Sequence, residues 1–220
     1  MPKTAIILGA SGATGSELLQ LLLADARYST VKLFNRSPIG IANPKIQEHI
    51  INLLELDKYA DQFTADEVFC CIGTTKAKTP DKDAYYKIDF GIPATAAKLA
   101  KANGISTFIV VSAVGANSKS GIFYNKTKGQ MEEAVMAQNI SRTHILEPSL
   151  IVAQRKDNRI LEKLFINLWK VVDPLLYGSA GKYKSVTAHN IAKAMLWLAN
   201  NTFSDVIVKS DTISRIAGKG

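Results

Sequence analysis

Cysteine and histidine are scarce in this chain, at two and three of 220 residues. The cysteines are neighbours, Cys70 and Cys71, inside an apolar run. Successive side chains of a strand point to opposite faces, so these two do not bridge each other, and they suit the core of a protein kept in a reducing compartment. No His or Cys cluster offers metal-ligand spacing, which sets aside a metal centre. Any run of about 18 uninterrupted apolar residues is missing, and with it a membrane span. Met1-Pro2-Lys3-Thr4 leads straight into an apolar segment and leaves no room for a secretory signal, so a cytoplasmic location is expected. Internal repeats and low-complexity stretches are absent.

Acid is in the minority. Nineteen Asp and Glu stand against 27 Lys and Arg, a formal charge of +8. The bases are dispersed, with local groups at Lys76 and Lys78, Lys126 and Lys128, and Lys182 and Lys184, and no stripe interleaved with aromatics. That pattern argues against a nucleic-acid partner and suits a basic surface around a polyanionic small molecule. A 47% hydrophobic, 21% charged composition fits one globular domain over residues 1–220. Residues 150–186 are expected to be a substrate-side insertion, and the chain is expected to act as a monomer or homodimer.

What is present begins at once. Ala5-Ile6-Ile7-Leu8 reads as a buried strand, Gly9-Ala10-Ser11-Gly12-Ala13-Thr14-Gly15 as a glycine-rich turn, and Ser16 to Leu23 as a helix. The spacing G-x-x-G-x-x-G allows a tight strand exit, close approach of backbone to a phosphate, and close helix–strand packing. Amides at the helix start, aided by the helix dipole, favour a pyrophosphate, and Ser11 and Thr14 add hydroxyl donors at the same rim. Short apolar runs then alternate with helical patterns: strands at Val31–Phe34, Gln47–Asn52, Glu67–Ile72, Ile105–Val111 and Thr143–Leu146, and a last one at Phe203–Val208 before a short frayed tail. The segment Asp81 to Asn103 reads as largely helical, with a kink or restart near Pro93. Thr187 caps a helix over Ala188 to Asn200. Right-handed crossovers give a doubly wound parallel sheet of order 3-2-1-4-5-6, with room for a seventh strand.

Two places carry chemistry. After the second strand, where an NAD site places a carboxylate on the ribose hydroxyls, this chain has Asn35-Arg36. A guanidinium suits a 2′-phosphate, so NADP(H) is preferred to NAD(H). After the fifth strand come Ser112 and then Tyr124-Asn125-Lys126-Thr127-Lys128 on a helix. Tyr124 and Lys128 are one turn apart on one face. A carbonyl accepting hydride needs a proton on oxygen, which a phenol supplies if its pKa falls from about 10 toward the working pH. The Lys128 ammonium would lower it and hold the nicotinamide ribose, and Ser112 would hydrogen-bond the substrate oxygen.

The glycine loop, Asn35-Arg36, the block Cys70-Cys71-Ile72-Gly73-Thr74-Thr75, Asp89, Ser112, Tyr124 with Lys128, and Glu147-Pro148-Ser149 together resemble an atypical short-chain dehydrogenase/reductase, in the branch related to the Tat-interacting protein. The resemblance runs from Thr4 to about Asn200. It implies a Rossmann fold with NADP(H) on Gly9, Ser11, Gly12, Ala13, Thr14 and Gly15, and Arg36 at the 2′-phosphate. It also implies Asn52 and Leu53 near the adenine, Gly73, Thr74 and Thr75 toward the ribose and nicotinamide, and Pro148 beside the nicotinamide. Ser112, Tyr124 and Lys128 match the family's catalytic trio. The family's fourth residue, an asparagine after the fourth strand, is missing, and Asp89 occupies that region.

From Leu161 to Leu176 apolar residues recur at helical spacing, open to three readings: packing against the sheet, a lid shaping an apolar substrate pocket, or a dimer or membrane surface. Three functions are weighed. The first is an NADP(H)-dependent oxidoreductase for a small carbonyl or related substrate. The second is an NADP(H)-binding regulator with little turnover. The third, an epimerase of nucleotide sugars, is disfavoured by the short C-terminal part.

Overall fold

The computed structural model describes residues 2–149, 151–152 and 186–219. Its strands are β1 (Lys3–Leu8), β2 (Tyr28–Asn35), β3 (Ile46–Ile50), β4 (Glu67–Cys70), β5 (Thr107–Val111), β6 (Arg142–Glu147), β7 (Ile151–Val152), β8 (Val186–Thr187) and β9 (Ile207–Lys209). Seven of them form one parallel sheet in the order β3-β2-β1-β4-β5-β6-β9, the Rossmann order with the seventh strand added. The two short strands β7 and β8 pair separately.

Six helices are described: α1 (Ala13–Ala24), α2 (Lys82–Tyr86), α3 (Ile92–Ala102), α4 (Phe123–Met136), α5 (Ala188–Asn200) and α6 (Ser210–Ala217). Alternation along each strand divides the core between two faces. Ala5 and Ile7 pack with Leu18, Leu22, Ile191 and Met195 beneath α1 and α5. Ile6 and Leu8 pack with Leu56, Phe63, Ala96 and Met131 on the opposite side. Such double cover explains why the central strands read as continuous apolar runs. Cys70 is fully buried, Cys71 only partly, and neither forms a disulfide.

The break expected near Pro93 is present, as a π turn over Lys87–Gly91 between α2 and α3. Pro93 has no N–H to return to the Asp89 carbonyl, so the regular ladder lapses just ahead of it and restarts with proline in the first turn of α3. The last strand is shorter than expected, Ile207–Lys209. The tail after it is an ordered helix, because Ile213, Ile216 and Ala217 bury one side of α6 and the Ser210 hydroxyl accepts the Ser149 amide at 2.6 Å. Thr187 caps α5 as expected, its hydroxyl accepting the Asn190 amide at 3.1 Å. The apolar segment 161–176 lies outside the described residues.

Candidate functional site

The sheet order reverses between β1 and β4, and a crevice opens at their carboxyl ends, where an open α/β sheet takes its ligand. Gly9 leaves β1 at φ +86°, and a Cβ there would stand 2.9 Å from the Cys71 carbonyl oxygen. Gly15 packs α1 onto the loop so closely that a Cβ would fall 2.1 Å from the Gly9 carbonyl. Between them Gly12 opens α1, and no side chain caps its amides and no acid sits in its first turn. A helix start with open N–H groups facing a crevice suits an anion.

Two adjoining cavities, of about 560 and about 460 Å³, share Gly12, Cys71, Ile72, Gly73, Thr74 and Lys78. Together they line the carboxyl ends of the strands from the glycine loop to Tyr124. The second also reaches Gly9, Ser11, Asn35, Arg36, Asn52 and Leu53. The first reaches Ala13, Thr14, Thr75, Ser112, Tyr124, Lys128 and Pro148. The candidate cofactor and catalytic residues therefore all line the cleft except Gly15, whose place is in the packing beneath it. Asn35 is buried and its amide donates to Glu48 at 3.1 Å, so it braces the strand end from which the exposed Arg36 projects. Asn52 accepts the Leu54 amide at 3.1 Å and so caps the 3-10 turn Leu53–Gln62.

The inner end of the cleft differs from what the sequence led us to expect. The Lys128 ammonium lies 2.7 Å from the Asp89 carboxylate, with both side chains almost wholly out of water. Asp89 also accepts the Thr74 amide at 2.8 Å, which ties the loop after β4 to the π turn. A side chain at Gly73 would lie against this pair. Lys128 is thus a compensated charge. Burial raises the Tyr124 pKa, the Lys128 ammonium pulls it down, and Asp89 pushes it up, so the phenol stands above its ordinary value instead of below it. Ser112, at the end of β5, donates its hydroxyl to the Glu132 carboxylate from α4. Burial pushes Glu132 up to about 7.

Asp89 and Glu132 are the contributions that sequence reasoning underrated or missed. Asp89 was noted only as occupying a region. Glu132 follows Tyr124 and Lys128 at the same four-residue step along α4, a spacing that puts all three on one face. Among the described residues no group of His, Cys, Asp or Glu is arranged to hold a metal, and no helix is long and apolar enough to cross a membrane.

Fold and cleft define the class, a Rossmann protein built to hold a dinucleotide at its switch point. Residues 9–162 match the model of the NAD(P)H-binding family, and the chain belongs to that family. It is similar to Protein FMP52-1, mitochondrial, of Scheffersomyces stipitis, at 33% identity over 76% of each chain. It is also similar to Protein HTATIP2 of Rattus norvegicus, at 32% identity over 71% of this chain and 66% of that one. These likenesses bear out the atypical short-chain dehydrogenase/reductase resemblance. The fold is shared with Bordetella bronchiseptica WbmH in complex with NAD+, at a TM-score of 0.69, 14% identity, and 92% and 74% coverage of the two chains. The cytoplasmic location is corrected by the same comparisons, since several FMP52 relatives are named mitochondrial. Free cysteines do not by themselves choose a compartment.

Proposed function

We propose that this chain is an NADP(H)-dependent oxidoreductase of the short-chain dehydrogenase/reductase type, working as one domain on a small carbonyl or related substrate with Tyr124 as acid and base. One observation carries the reading: Ser112, Tyr124 and Lys128 line a cavity that shares six lining residues with the neighbouring cavity of Gly9, Ser11 and Arg36. The cleft fits the cofactor by its chemistry, with open helix amides for the pyrophosphate and a guanidinium for the 2′-phosphate.

In this reading the amides at the start of α1, with Ser11 and Thr14, hold the pyrophosphate. Arg36 grips the 2′-phosphate and Asn35 fixes the turn beneath it. Asn52 and Leu53 border the adenine, and Gly73, Thr74, Thr75 and Pro148 border the ribose and nicotinamide. NADPH, when bound, supplies the hydride. Ser112 orients the substrate oxygen, Tyr124 Oη gives it a proton, and Lys128, held by Asp89, positions the phenol and the ribose. Residues 150–186, nearly all of them outside the described residues, carry substrate specificity in this reading.

The Asp89–Lys128 pair favours a second reading, a regulator that binds NADP(H) with little turnover, because it withholds the free ammonium that would acidify Tyr124. One experiment separates the two: NADPH consumption against aldehydes, ketones and quinones, beside Tyr124→Phe and Arg36→Ala. The reductase reading expects turnover that vanishes in Tyr124→Phe with cofactor affinity intact, and Arg36→Ala to weaken NADPH while sparing NADH. Turnover surviving in Tyr124→Phe would remove the proposed acid. Equal loss of both cofactors in Arg36→Ala would remove the phosphate assignment.

A further inference from the structure

We infer that the substrate is an apolar carbonyl compound bearing a carboxylate, seated in a third cavity beside Tyr124; this rests on the reductase reading above. The cavity, about 470 Å³, lies between the loop after β4 and the first turn of α4, and it meets the first cavity at Thr74, Thr75 and Tyr124. Its wall is Pro80, Tyr85, Ile122 and Phe123. Phe123 packs edge-on against Tyr85 with ring centroids 5.6 Å apart, which fixes both rings. Tyr85 turns its hydroxyl to the Thr74 carbonyl, at 3.2 Å, and so offers the cavity its ring. Thr74 and Thr79 bond to each other at 2.8 Å and leave little unmet polarity on that side. Ile122 is 63% exposed, the most exposed large apolar side chain among the described residues. An apolar wall open to solvent beside the proposed acid, Tyr124, is where a ligand body belongs.

Charge at the rim selects the ligand further. Lys76 and Lys82 line this cavity, and neither forms a salt bridge among the described residues. The Lys82 ammonium sits 5.7 Å from the centre of the Phe123 ring, against the apolar wall. Of the two acids beside it, Asp81 is committed to the Ala84 amide at 2.7 Å as the cap of α2, and Asp83 does not line the cavity. A ligand meeting this arrangement places its carbonyl at Tyr124, its apolar body between Phe123 and Ile122, and an anionic end at the two lysines. On reduction the carbonyl carbon gains the hydride of NADPH, which leaves as NADP+, and the oxygen gains the Tyr124 proton, which solvent restores. An oxo acid becomes a hydroxy acid.

The test uses the full chain saturated with NADP+, and 3-benzoylpropionate and its primary amide as probes, with affinities measured by calorimetry at low ionic strength. The keto acid should bind at least about fivefold more tightly than the amide, the size of a partly solvated ion pair. That preference should disappear in the Lys76→Ala/Lys82→Ala double variant and shrink in high salt. Ile122→Asp should weaken both probes. All three side chains sit at the cavity rim or wall, so thermal melts matching the wild type are expected and would verify folding. Equal affinity for acid and amide overturns the inference, as does an unchanged preference in the double variant. Failure of both probes to bind protein that still binds NADP+ also overturns it and leaves the reductase reading standing. Failure of NADP+ itself to bind would overturn both.

Discussion

Glu132 carries the charge that its surroundings support least. It faces Ser112 and Glu147 from the sheet, Lys209 beyond them, and Lys128 one turn back on its own helix. Burial raises its pKa most and Glu147 adds to that, while the Ser112 hydroxyl and the two ammonium groups lower it, leaving it at about 7 against an ordinary 4.5. A raised acid favours the folded state only while it stays protonated. Its contribution is therefore complete below about 4.5 and lost as pH rises through about 7, on the order of 3 kcal/mol across that window. Glu132→Gln keeps a partner for Ser112 and removes the charge. Denaturation in urea between about pH 4 and about pH 8 should show the variant gaining on the wild type across that window. A difference that did not change with pH would assign the shift elsewhere. The trio Ser112, Tyr124 and Lys128 was legible in the sequence because helical spacing and strand ends locate such residues. The partners of the trio were not, because Asp89 and Glu132 are brought in by a π turn and by one further helical step.

At the scale of elements, the loop over residues 113–121 is held in place by α4. Asn117 donates its amide to the Asn125 carbonyl at 2.9 Å, and the Ser118 hydroxyl donates to Glu133. The closest approach is at Gly129, immediately after Lys128, where a Cβ would fall 2.2 Å from the Ser118 nitrogen and 2.3 Å from the Asn117 carbonyl carbon. Backbone cannot yield as a flexible side chain can. Gly129→Ala should therefore displace loop or helix and cost about 1–3 kcal/mol. Gly121→Ala, with nothing within 4 Å of the added carbon, is the matched control. Thermal melts of the two would decide, and equal stabilities would mean that the loop moves freely. The sequence showed a glycine here without what it met, because that partner comes from a loop with no periodic pattern. Strands and long helices were legible within a few residues for the opposite reason, since their apolar spacing is local. The exceptions were α6, too short and too polar in sequence to separate from a tail, and the two-residue strands β7 and β8, too short to show any period.

Across the whole molecule, the two ends of the sheet have different work. The cleft occupies the carboxyl ends of the strands, and a buried polar network closes the amino ends. Glu67, at the start of β4, accepts the Tyr28 hydroxyl from β2 at 2.6 Å and pairs with Lys3 from β1 at 2.6 Å. Asn200, the last residue of α5, donates to the Tyr28 oxygen at 2.8 Å and accepts from Lys3 at 2.9 Å. Four elements far apart in sequence are thus joined at one point. The strand order that gathers them was legible from alternating runs and crossover handedness, whereas the network was not, because its members share no spacing. Removing the hydroxyl with Tyr28→Phe leaves the Glu67 carboxylate one donor short in a dry site. The expected loss is about 1.5–3 kcal/mol, the range for a hydrogen bond to a charged group. NADPH affinity should stay at the wild-type value, because the network lies a strand's length from the glycine loop. Urea denaturation and cofactor titration of the same preparation would test both halves. A fall in affinity matching the fall in stability would mean that the two ends of the sheet are coupled, and the division of labour between them would fail.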